Sequence, residues 1–173
     1  MRSRLQQRLN RLLAKLFTQL PVLGRLWSRL AKIDVSAGVP WTPMRKALPD
    51  CRVCVITTGG LHLETDRPFD MNDPEGDPTF RRIPADAAQA DLTITHNYYD
   101  HRDADRDYNI LLPLDRLREL AATGLIGGLT ADHYSFMGHI DGPHLKTLDQ
   151  QVLPELLRQI KAEQPDFVFL TTA

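Results

Sequence analysis

"RVCVITTGG", residues 52–60, sets how the rest of the chain reads. Val53, Val55, Ile56 and Thr57 are β-branched and favour a strand, and Thr58, Gly59 and Gly60 close it with a flexible turn. Similar short apolar runs recur at 91–95, 125–129 and 166–170. Helical patterns lie between the later ones. Over 113–123, Leu114, Leu117, Leu120 and Ala121 share one face, Pro113 suits the first turn, and Gly124 suits the left-handed residue after the last. Over 145–164, Leu145, Leu148, Val152, Leu153, Leu156, Leu157 and Ile160 keep helical spacing, and Pro154 must bend or restart the helix. Alternating strands and helices predict an α/β fold with a mainly parallel sheet of about four strands, flanking helices and right-handed crossovers.

The 173 residues suit one domain with a real core, and no apolar run approaches the roughly 20 residues that span a bilayer. Cys51 and Cys54 are too few for a disulfide framework, and a cytoplasmic location is expected. The Cys51–Cys54 spacing matches a redox pair, but such pairs work at a helix N-terminus, whereas this one opens a strand; packing cysteines are expected. A Pro/Asp/Gly-rich stretch at 64–90 carries Phe69, Phe80, Arg81 and Arg82 and reads as an ordered, functional loop.

The formal net charge of −1 hides an asymmetry. Residues 1–33 hold Arg2, Arg4, Arg8, Arg11, Lys15, Arg25, Arg29 and Lys32 and no acid, a charge of +8, so the remainder carries −9. Leu5, Leu9, Leu12, Leu13, Leu16, Phe17 and Leu20 recur at helical spacing, and Leu23, Leu26, Trp27 and Leu30 resume it after Pro21. Residues 1–37 therefore read as a basic amphipathic helical arm that docks on its own domain or on a sister chain, with contact to a membrane surface or nucleic acid as the less favoured alternative, followed by an α/β domain over 38–173. No nucleic-acid partner and no transmembrane segment are expected.

In a parallel sheet, ligands bind outside the carboxyl ends of the strands. The expected strands empty into His62, into His96 and His101, and into His133 and His139, so these imidazoles are expected on one rim. Three uses stay open. His96, Asp100 and His101 with His62 or His133 offer metal ligands; the histidines can serve as general acids or bases, with Tyr98, Tyr99 and Ser135 as hydrogen-bond donors; or the polar groups simply satisfy loop backbone. Thr58, Gly59 and Gly60 form a turn suited to an anion or to close backbone approach, without the lysine of a phosphate loop.

The blocks "VPWTP", "VITTGGLHL", "FDMNDPEGDPTFRRIP", "LTITHNYYDHRDADRDYN", "PLDRLRELAATGLIGGL" and "HYSFMGHI" occur in this order between residues 39 and 140. Together they make residues 38–173 resemble the glycine/sarcosine/betaine/D-proline reductase selenoprotein B family. The resemblance implies reductive cleavage of a carbon–nitrogen bond in a small amino acid or N-methylated glycine. It implies no cofactor in this chain: a pyruvoyl group on a partner subunit holds the substrate amine, and a selenocysteine or cysteine of the B component attacks carbon. Thr58, Gly59, Gly60, His62, His96, Tyr99, His101, His133, Ser135 and His139 would then shape the pocket and handle protons.

One departure stands out. In the family the reactive chalcogen follows the strand matching Phe167–Leu170, whereas no cysteine follows Cys54 here. The expectation is a reductase component that is incomplete or not competent alone, either a short paralogue or a chain ending at an unread selenocysteine codon. The alternative is a non-catalytic assembly protein that binds a small ligand, a metal or a partner. Another subunit or a second copy is an expected partner in either case.

Overall fold

The computed structural model describes residues 42–172 and, before them, Leu12, Leu20, Val22 and Arg25. The helices expected within the basic arm, residues 1–37, otherwise lie outside the described residues.

Strand β1 (Arg52–Thr57) is the centre of the main sheet. Along one edge it pairs in parallel with β7 (Phe167–Thr171), from Val53 opposite Phe167 to Thr57 opposite Thr171. Along the other it pairs in parallel first with β5 (Gly128–Leu129) and then with β6 (Asp132–Phe136). Strand β3 (Phe80–Pro84) runs antiparallel beside β6. The expected mainly parallel sheet of about four strands is therefore present, with β5 and β6 as two pieces of one broken strand. Its antiparallel edge comes from the middle of the stretch read as a loop. That strand buries Ile83 alone and carries Arg81 and Arg82, so it gave no apolar signal.

The strand expected at 91–95 exists but belongs elsewhere. Gly60, at φ +72°, turns the chain sharply after β1, and β2 (Leu61–Leu63) then pairs antiparallel with β4 (Leu92–Ile94) in a separate ribbon. This ribbon is tied to the main sheet by the Gly60 amide donating to Phe136 O and the Thr95 amide donating to Gly60 O. The strand expected at 125–129 lies later, at 128–136. His133 and Ser135 are consequently inside a strand instead of after one, and His62 is inside β2.

Helix α1 (Leu114–Ala122) matches its apolar period, with Leu114, Leu117 and Ala121 against the sheet and Leu120 more exposed. Gly124 adopts the expected left-handed conformation at its end. The last helical region starts earlier than its pattern suggested: α2 (Pro143–Thr147), a π-helical turn (Leu148–Val152) and α3 (Leu153–Glu163). The wide turn lets Pro154 enter the first turn of α3, where a missing amide proton costs nothing.

Because strand side chains alternate, the sheet has a core on each face. Val53 and Val55 pack with Leu111, Leu112, Leu114 and Ile126 on one side, while Cys54, Tyr134 and Phe136 pack with Leu156 and Ile160 on the other. Cys51 and Cys54 are free and buried, and burial pushes the Cys54 thiol up to about 11, as suits packing residues. Residues 64–79 are ordered around Asp77, whose carboxylate accepts from the Asp70 and Thr79 amides. Arg81 stacks 4.3 Å above Phe69 and donates to the Arg67 and Pro68 carbonyls.

The break between β5 and β6 would leave β1 backbone groups unpaired, and side chains fill the gap. The Thr130 amide donates to Val53 O, its hydroxyl lies between Val53 O and Asp132 O, and the Val55 amide donates to His133 Nδ1 at 3.0 Å. An acceptor at Nδ1 requires a neutral ring with its proton on Nε2. Burial, aided by the positive charge of Arg118, lowers the His133 pKa to about 4. Protons therefore bind the unfolded chain first, so His133 contributes stability above roughly pH 6.5 that is lost as pH falls toward about 4, on the order of 3 kcal/mol. In His133→Asn the amide oxygen replaces Nδ1 without titrating. Urea unfolding across this window should give a flatter pH dependence for the variant, and parallel curves would contradict the assignment.

Candidate active site

Three parallel strands end at one edge, and an open cleft of about 430 Å³ lies there. Thr58 follows β1, Gly138 and His139 follow β6, and Thr172 follows β7; His96, Tyr98 and Tyr99 complete the lining from the segment after β4. None of these seven residues is a lysine, arginine, aspartate or glutamate. The strand ends touch closely. Gly138 sits at φ +93°, and a Cβ there would come within 2.6 Å of Thr58 O, so only glycine lets the two turns meet. The Thr58 amide donates to Thr171 O, and the Thr58 hydroxyl lies 3.4 Å from that of Thr172.

Five rings form a continuous series through the site. Centroid separations are 4.6 Å for His139–Tyr98, 5.7 Å for Tyr98–His96, 4.5 Å for His96–Tyr99 and 5.7 Å for Tyr99–His101. The Tyr99 hydroxyl donates to Gly59 O at 2.8 Å, fixing the turn after β1, and burial raises its pKa above the usual phenol range. His96 Nδ1 accepts from the Tyr98 amide at 3.0 Å. Burial first, then the nearby His101 and His139, lower the His96 pKa to about 4, so it is neutral near pH 7, against a hydrogen bond to the Met137 backbone that acts in the opposite direction. His139 Nε2 donates to Pro74 O at 3.0 Å, because a carbonyl can only accept; in the neutral ring Nδ1 keeps its lone pair, 3.8 Å from Asp141. His101 is held outside the lining by Asp105 at 2.8 Å.

Of the residues singled out from sequence, Thr58, His96, Tyr98, Tyr99 and His139 converge here, with His101 and the Gly59 carbonyl directly behind them. His62, His133 and Ser135 do not. His62 is buried in the ribbon, with Nδ1 2.7 Å from Leu63 O and Nε2 2.8 Å from Thr95 Oγ1, and its ring edge meets Phe69. His133 Nε2 and Ser135 Oγ are buried in the sheet without a hydrogen-bond partner among the described residues. The expectation of a single rim thus fails for them because β2 and β6 absorb the positions read as loops. Gly60 serves the chain turn itself, since a Cβ there would meet Thr95 O at 2.7 Å. Gly138 and Thr172 are lining residues that the sequence reading missed; the former is the glycine directly behind an apolar run, a signal available in "SFMGH".

Among the described residues no group of three or more His, Cys, Asp or Glu side chains is placed to hold a metal ion. No helix among them is long and apolar enough to cross a membrane. What the cleft offers is imidazoles, hydroxyls and aromatic faces.

This arrangement belongs to an α/β protein with an open cleft at the carboxyl edge of its sheet. The chain is a member of the glycine/sarcosine/betaine reductase selenoprotein B family, whose model matches residues 24–173, beginning inside the stretch read as the arm. It is 38% identical over 139 residues, 80% of its length, to D-proline reductase subunit gamma of Acetoanaerobium sticklandii, and it spans 55% of that relative's length. No solved structure matches it.

Substitution of two left-handed glycines separates strain from collision. Gly124→Ala at φ +73° meets open space and should cost about 1–2 kcal/mol, whereas Gly138→Ala adds the clash with Thr58 O and should cost about 2–4 kcal/mol. Thermal unfolding midpoints of the two variants, compared with wild type, check the difference.

Proposed function

We propose that this chain is the substrate-pocket portion of a reductase that cleaves a carbon–nitrogen bond in a small amino acid or N-methylated glycine. The observation that supports this best is the convergence of Thr58, His96, Tyr98, Tyr99, His139 and Thr172 at the ends of three parallel strands, in a chain of this family. The substrate ammonium would rest on the Tyr98 and Tyr99 faces, where a cation is attracted without a counter-charge. The Thr58 and Thr172 hydroxyls would orient its polar end. His139, with Nε2 engaged by Pro74 O, presents Nδ1 as the group that takes or returns a proton. His96, engaged at Nδ1, would hold the Tyr98 backbone in place instead of titrating.

The reactive chalcogen implied by the family follows the strand corresponding to β7, so it would reach the same edge beside Thr172. Neither Cys51 nor Cys54 can take that part, because both are buried outside the cleft. A pyruvoyl group on a partner subunit would supply the carbonyl that captures the substrate amine, and the open, uncharged lining fits delivery from outside. The same cleft also admits a second reading, a binding component that holds the substrate without reducing it.

Binding tests the pocket that both readings share, and turnover tests the second reading. Calorimetry of the full chain with glycine, sarcosine, betaine and D-proline should detect binding of at least one, and His139→Ala should weaken it by about tenfold. Incubation with the bound compound and a dithiol should give no amine release from this chain alone. Absence of binding by all four to well-folded protein would remove the pocket assignment, while dithiol-driven turnover would remove the non-catalytic reading.

A further inference from the structure

A second cleft, of about 420 Å³, shares no lining residue with the one at the sheet edge. Its volume is that of a small-ligand site, roughly 300–1,000 Å³. Its walls come from the segment 67–81 together with His144.

Two opposite charges of low exposure form the frame of this cleft, Arg81 at 13% and Asp77 at 9%. Both are spent on main chain. The Asp77 carboxylate accepts from the Asp70 and Thr79 amides, and Arg81, stacked over Phe69, donates to the Arg67 and Pro68 carbonyls. The backbone is thus fixed at Arg67 and at Asp70, the two places where the lining carries charge that is not yet used. Asp70 Oδ1 accepts from the Asn72 amide, whereas Asp70 Oδ2 and the Arg67 guanidinium have no partner among the described residues. This sets Arg67 apart, because each arginine from Arg81 to Arg158 holds a carboxylate within 3.7 Å. The remaining acid of the lining is taken: Asp73 accepts from the Glu75 amide and holds His144 Nε2 at 3.0 Å.

Arg67 and Asp70 therefore face one cavity with opposite charges and do not pair with each other. A simple anion placed there would meet Asp70, and a simple organic cation would meet Arg67. A metal ion does not fit either, since no three acidic, histidine or cysteine side chains among the described residues converge to hold one. A molecule that carries both charges satisfies both side chains, its carboxylate matching the planar guanidinium fork and its cationic nitrogen matching the carboxylate.

We propose that this second cleft binds a small zwitterion, with the carboxylate on Arg67 and the cationic nitrogen on Asp70. Nothing in this assignment depends on what the sheet-edge cleft holds.

Titration of the full-length, 15N-labelled chain with betaine and with D-proline should move the amide signals of Asp70 and Thr79 for at least one of them. Arg67→Met removes a side chain that holds nothing else, and Asp70→Asn keeps the acceptor for the Asn72 amide; each should weaken this binding by about tenfold or more. Acetate and tetramethylammonium, which carry one charge each, should bind at least tenfold more weakly than the zwitterion. Circular dichroism and the urea midpoint verify that both variants are folded. Unmoved Asp70 and Thr79 signals, or affinity unchanged in both variants, overturn the proposal. Acetate binding as tightly as the zwitterion, an adventitious ion only, overturns it as well. Signals that move at Gly138 and Thr172 but not at Asp70 and Thr79 leave the sheet-edge pocket standing and remove this one; the reverse pattern does the opposite.

Discussion

Strand β1 is hydrogen-bonded on both edges, and every partner runs parallel to it. That single constraint organises the molecule. Parallel neighbours deliver their following residues to the same end of the sheet, so Thr58, Gly138 and Thr172 meet although they are far apart in sequence. It also requires crossovers: α1 lies before β5, while α2 and α3 lie between β6 and β7, and these give the sheet its apolar layers. The cleft is a product of topology before it is a product of any side chain.

The same residue type then meets two fates. His133 and His62 lie inside strands, where their nitrogens satisfy Val55, Leu63 and Thr95. His96 and His139 follow strands, and their rings stand in the cleft among tyrosines. Burial alone does not distinguish the groups, since His96 and His133 are both pushed down to about 4. Position along the strand does. An imidazole within the ladder spends its nitrogens on neighbouring backbone and hydroxyl groups, while past the ladder His139 keeps Nδ1 at 3.8 Å from its nearest carboxylate, Asp141.

Strands whose two faces are both covered were legible from sequence, as with Arg52–Thr57, and so was α1 with its proline and glycine boundaries. What escaped the reading were elements whose burial is partial. β3 buries only Ile83, and β6 mixes Asp132, His133 and Ser135 into a strand whose polar groups look like loop residues until their partners are seen. Gly60 hid the largest change, because the bend between Thr57 and Leu61 takes the chain out of the main sheet and leaves 92–94 paired in a ribbon. The site was half legible for the same reason. Thr58, His96 and His139 lie past the strands the structure forms and reach the cleft, whereas His62, His133 and Ser135 lie inside β2 and β6 and do not.

The wall carrying His139 is attached to the 70s loop through main-chain groups: the Asp77 amide donates to His139 O, and the Asp141 amide donates to Glu75 O. Gly76, bridged to Ile140, lies so near His139 O that any larger residue would collide. Attachments of this kind ignore most side-chain identities but count residues. A one-residue deletion between Pro74 and Asp77 would therefore displace the imidazole without touching it.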